Sequence, residues 1–137
     1  MKTVISILEK RQHYVNRISP DCSLRNALSY MNSYNVECLA VTDGKGLFLG
    51  LVTEHDIARK TSLDKHLLSD TTVQEVINTE IPFVDINDTV GHCMRLMKRF
   101  HIRYLPVFDL RSFRGIISSD DILEEAIFSR AGIFDEG

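Results

Sequence analysis

Two stretches of the chain place apolar residues at i, i+3, i+4 and i+7: Leu24, Ala27, Leu28 and Met31, and later Val90, Cys93, Met94 and Met97. That period predicts a helix with one buried face, and each run opens on a hydroxyl, Ser23 or Thr89. Both helices leave through matching phrases, YNVECLAV and FHIRYLPV, whose apolar ends predict buried strands. TDGKGLFLG and FDLRSFRG follow, the first with Asp-Gly turn chemistry, so each half should return as a hairpin. The returning strands run into GLVTEHDI and GIISSDDI and a second helix, Glu54 to about Lys60 or Asp121 to Ser129. The lead-ins agree as well: TVISIL from Thr3 and TVQEVI from Thr72 each predict a short helix before a strand centred near Ile18 or Val84.

Each half therefore reads helix, strand, helix, strand, strand, helix, an α+β unit with a small three-stranded sheet and flanking helices. Such a unit has a sheet face to cover and builds little core alone. Two copies packed sheet to sheet with pseudo-two-fold symmetry solve that problem and create two related clefts. Residues 1–70 form the first repeat with its N-terminal helix, 71–131 the second and 132–137 a tail, and Thr61 to Thr71 make the crossover.

A chain of 137 residues with 44% apolar and 26% charged positions and a mean hydropathy of -0.06 is that of one soluble folded unit. The net charge of -3 argues against a general nucleic-acid binder. The apolar run in MKTVISILEKRQ is too short for a signal or a membrane span, so the expected location is the cytoplasm. Cys22, Cys38 and Cys93 lack paired or metal-ligand spacing and read as reduced packing residues. The histidines His13, His55, His66, His92 and His101 lack metal-site spacing too, and no metal is expected.

The repeated chemistry is a hydroxyl followed three residues later by an aspartate, Thr53 with Asp56 and Ser118 with Asp121. A strand ending at a helix start favours an anion, a carboxylate accepts hydrogen bonds from ribose hydroxyls, and a hydroxyl donates to a phosphate oxygen. Gly50 and Gly115 would let a ligand approach the backbone. The same spacing is also a capping box, as Thr72 and Glu75 illustrate, and the two roles are compatible. Arg103 opens a buried strand beside this motif, where a guanidinium would clamp phosphate. Arg95, Lys98 and Arg99 read equally as a solvated helix face, and Arg59 and Lys60 as surface charges. His55 either faces a phosphate or is exposed in the first helical turn, and Tyr30, Tyr34, Phe100 and Phe108 read as packing residues.

With GLVTEHDI and GIISSDDI closing the halves and HIRYLPV in the second, the chain resembles a tandem pair of cystathionine-beta-synthase (CBS) domains, the Bateman module, over about residues 3 to 130. TVISIL, GLVTEHDIARK and MRLMKRFHIRYLPV are similar to the small stand-alone members. The resemblance implies adenosine nucleotides (AMP, ADP, ATP or NAD) bound in the clefts, homodimers forming a flat disk, and regulation of a protein target, with no catalysis. It carries ribose and phosphate contacts over to Thr53 and Asp56 and to Ser118 and Asp121. It puts the adenine slots at Ile18, Pro20 and Leu39 to Val41, and at Val84, Ile86 and Leu105, Pro106 and Val107. Two departures stand out: His55 where close relatives often have arginine, and Asp120 where glycine is frequent, which adds an acid beside Asp121 and disfavours a polyphosphate there. No enzyme constellation presents itself. The competing readings are a structural dimerisation module with empty clefts and an S-adenosylmethionine binder.

Overall fold

The computed structural model describes residues 2–10, 15–62 and 67–136; His13 and His66 lie outside them, as does part of the expected crossover. The first sheet, β1-β2-β3, joins β1 (Arg17–Ile18), β2 (Cys38–Thr42) and β3 (Phe48–Thr53). The second, β4-β5-β6, joins β4 (Val84–Asp85), β5 (Tyr104–Asp109) and β6 (Ser112–Ser118). In each, the first pair is parallel and the second antiparallel, with register shifts at matching places, between Val41 and Thr42 and between Val107 and Phe108. The helices are α1 (Val4–Lys10), α2 (Leu24–Tyr34), α3 (Glu54–Thr61), α4 (Leu67–Asp70), α5 (Val90–Phe100) and α6 (Ser119–Glu136). α4 falls in the expected crossover, and α6 runs beyond Ser129 through most of the expected tail.

The helical stripes form as the period predicts. Ser23 Oγ accepts from the Asn26 N–H and Thr89 Oγ1 from the His92 N–H, both at 3.1 Å, which caps α2 and α5. Leu24, Ala27 and Met31 are buried with Leu39, Val41, Val52, Ile57 and Val73; Cys93 and Met97 are buried with Val4, Ile7, Val84, Leu105, Val107 and Ile117. Met94 departs from its predicted stripe and is 55% exposed. Tyr34 and Phe100, read as packing residues, are also exposed at the helix ends. Burial raises the thiols of Cys38 and Cys22, and pushes that of Cys93 up to about 11 with help from Asp88, so all three behave as packing groups.

The linear halves and the compact units are not the same. One unit holds residues 15–81 and the other holds 1–14 with 82–137, so each lead-in packs with the other repeat's body. The backbone bonds correspond one to one. Val4 N–H donates to Asp88 O, Ile5 N–H to Ile86 O, and Val90 N–H to Lys2 O; Val73 N–H donates to Cys22 O, Gln74 N–H to Pro20 O, and Leu24 N–H to Thr71 O. The boundary drawn at residue 70 therefore describes the repeat in sequence, whereas the cores are built by exchange. The lead-ins differ in form: α1 is a helix, but Val73–Glu75 is one 3₁₀ turn, after which Asn78 bridges to Leu51.

Candidate functional site

Both hydroxyl and aspartate pairs stand where the last strand of a sheet enters a helix. In the first, Thr53 N–H donates to Asp56 Oδ2 and Asp56 N–H to Thr53 Oγ1, both at 3.1 Å. In the second, Ser118 N–H donates to Asp121 Oδ2 at 2.8 Å and Asp121 N–H to Ser118 Oγ at 3.1 Å. Each is a complete capping box. The box engages one carboxylate oxygen and leaves the hydroxyl its own proton to donate, so capping does not exhaust either group. Around Asp56, Arg59 Nη2 approaches Oδ1 at 3.3 Å, but Arg59 is 72% exposed and the contact is readily exchanged.

The surrounding residues divide by accessibility. Ile18, Pro20 and Ile86 are half-buried and keep surface beside the strands. Val84 and Leu105 are fully enclosed in their core, and Pro106, which points to the opposite face of β5 from Leu105, is also fully buried. His55 and Arg103 are exposed. Arg103 immediately precedes Tyr104, which pairs with Ser118, and its carbonyl accepts the Ser119 N–H at 2.8 Å. Glu37, which no sequence motif marks, holds the matching place in the other unit: its carbonyl accepts the Glu54 N–H at 2.9 Å, and the next residue, Cys38, pairs with Thr53.

A cavity of about 270 Å³ lies in the first unit, lined by Asp56, Arg59, Lys60, Glu75 and Val76. It draws Arg59 and Lys60, read as plain surface charges, toward the Asp56 site. Gly50 has a different role from the one expected: a Cβ there would lie 2.5 Å from Asn78 O and 2.9 Å from Ile77, so the chain itself fills the approach. Among the described residues no cluster of His, Cys, Asp or Glu is fit to hold a metal, and no helix is long and apolar enough to cross a membrane.

Two small α+β units with identical strand order, each closed by the same hydroxyl and carboxylate box, define a tandem repeat module. The CBS-domain profile matches residues 4–62 and 73–127, and the chain belongs to the CBS-domain family, whose pairs are regulatory ligand-binding modules. The CBS domain-containing protein YhcV of Bacillus subtilis is 29% identical over 117 residues, covering 85% of this chain and 82% of that protein. A crystal structure of the CBS domain NE2398 is 35% identical, covers 93% of this chain and 99% of its own, and superposes with a TM-score of 0.86. The CBS domain pair of protein MJ0100, in complex with 5′-methylthioadenosine and S-adenosyl-L-methionine, shares the fold at 23% identity and a TM-score of 0.77, covering 90% of this chain and 98% of its own. The chain spans less than a third of the length of several longer curated relatives.

Proposed function

We propose that the chain is a regulatory module that binds an adenosine-containing ligand (AMP, ADP, ATP or NAD) at each hydroxyl and aspartate pair and passes its occupancy to a protein target. The observation that carries this reading is the duplicated box. Asp56 and Asp121 are held in one orientation by the Thr53 and Ser118 amides, which prepares a carboxylate for a ribose diol before any ligand arrives. Thr53 and Ser118 would donate their protons to a phosphate oxygen, and Ile18, Pro20 and Ile86 offer apolar surface for a base. The ligands of the MJ0100 pair, both adenosines, support the same ligand class.

We also propose a homodimer, because Met94 on α5 and Leu123 and Ile127 on α6 are each more than half exposed, and apolar side chains on two packed helices suit a second copy. The binding reading is tested by a thermal-shift panel of AMP, ADP, ATP, NAD and S-adenosylmethionine. A rise in melting temperature with at least one, lost in the double variant Asp56→Asn/Asp121→Asn, supports it. A panel without any shift points to a structural module instead.

A further inference from the structure

We infer that the homodimer pairs second repeat with second repeat: α5 of one copy lies along α6 of the other, with basic side chains facing acidic ones across an apolar seam. The inference rests on the homodimer reading and adds which surfaces meet and what sets their pairing. On α5, Met94 and Lys98 are one turn apart with Arg95 beside them, and all three are exposed. On α6, Asp120, Leu123, Glu124 and Ile127 recur at i, i+3, i+4 and i+7 and are exposed as well. The buried side of α6 carries Ile122 and Glu125, and Glu125 is already held by Lys2 and Lys10. Among the described residues Arg95, Lys98, Asp120 and Glu124 enter no ion pair within the chain.

One helix thus offers an apolar side chain flanked by two cations, and its neighbour two apolar side chains flanked by two acids. Such a surface complements itself. A two-fold axis brings the α5 face of each copy onto the α6 face of the other, makes both contacts at once and closes the assembly at two chains. It also gives Asp120, the acid that crowds Asp121, cations to face. The first repeat has no equivalent surface. At the places of Met94, Arg95 and Lys98, α2 has Leu28, which is half-buried, and the neutral Ser29 and Asn32. At the places of Asp120, Leu123, Glu124 and Ile127, α3 has His55, Ala58, Arg59 and Ser62. Second repeat on first would set Arg95 and Lys98 against Arg59 and exchange Leu123 and Ile127 for Ala58 and Ser62, losing both the charge match and most of the apolar area.

Two charge-reversed full chains test the pairing. Arg95→Glu/Lys98→Glu makes both faces acidic and Asp120→Lys/Glu124→Lys makes both basic, so each variant alone should dimerise at least about tenfold more weakly than wild type in sedimentation equilibrium. Mixed in equal amounts they should form a heterodimer with affinity within about threefold of the wild-type dimer, because each reversed face then meets its opposite. The milder pair Lys98→Glu and Glu124→Lys carries the same test should a doubly reversed chain melt early. A dimer that persists in both variants, or variants that melt as wild type does yet stay apart on mixing, overturns the pairing and leaves the homodimer standing. A wild-type chain that stays monomeric at micromolar concentration removes the homodimer, and the pairing with it.

Discussion

Lys10 Nζ stands 3.0 Å from Glu125 Oε2, while Lys2 Nζ reaches the other carboxylate oxygen at 3.3 Å, so the last residue of α1 and the segment just before its start are tied to one largely buried acid on α6. The hydrogen bond from Lys10 leads in holding the Glu125 carboxyl below the usual carboxylate range, with Lys2 contributing and burial opposing. A folded pKa below the unfolded one means that the stabilisation is complete above the unfolded value of about 4.3 and is lost as pH falls through the folded value. Glu125→Gln should therefore cost about 1 kcal/mol at neutral pH, modest because both lysines are half exposed, and flatten the fall in stability below about pH 4. Urea melts across that range check it; an unchanged acid limb would remove the latch.

Gly50→Ala should destabilise by about 1–3 kcal/mol, because its Cβ would press into the Asn78 carbonyl that bonds to the Leu51 amide. Gly44→Ala, where the new methyl meets nothing within 4 Å, serves as the control. Equal melting of the two variants would show that the 77–78 segment yields freely.

Leu110 holds φ 58° at the tip of the β5–β6 hairpin and is 90% exposed, so it bears backbone strain with little burial in return. Leu110→Asn should stabilise by about 0.5–1 kcal/mol, since asparagine tolerates that conformation. A lower melting temperature would mean that the leucine packs in solution.

The period of α2 and α5, the Asp43-Gly44 turn and the two motif strands were legible because each is a local pattern, and all appear where expected. Exchange of the lead-ins was not. Val4 and Asp88 are remote in sequence, and TVISIL reads the same whichever body it joins. Burial of Val84 and Leu105 was legible as strand hydrophobicity but not as a choice between core and ligand surface, because an apolar side chain suits both. The Glu125 latch escaped because neither lysine is its helix neighbour. The equivalence of Glu37 and Arg103 was not legible either, because it is carried by their carbonyls, which accept the first amide of α3 and of α6, and not by their side chains.

The exposed apolar residues on α5 and α6 bear on assembly. Leu123→Glu together with Met94→Glu should shift sedimentation toward a monomer at micromolar concentration, since charges buried in an interface weaken association by more than about tenfold. A wild-type monomer, or a dimer indifferent to both charges, would place the interface elsewhere.

Whether the boxed aspartates hold a ligand is decided by separating stability from affinity in Asp56→Asn and Asp121→Asn. Asparagine keeps an oxygen for the Thr53 or Ser118 amide, so capping should weaken by at most about 1 kcal/mol. A ribose diol loses a charged acceptor, which should weaken adenosine binding by roughly ten- to a hundredfold. The direct measurement is calorimetric affinity for the tightest adenosine of the panel beside the melting temperature of the same samples. Near-native melting with at least tenfold weaker binding is the predicted result; unchanged affinity in both variants would contradict it and leave the two boxes as helix starts alone.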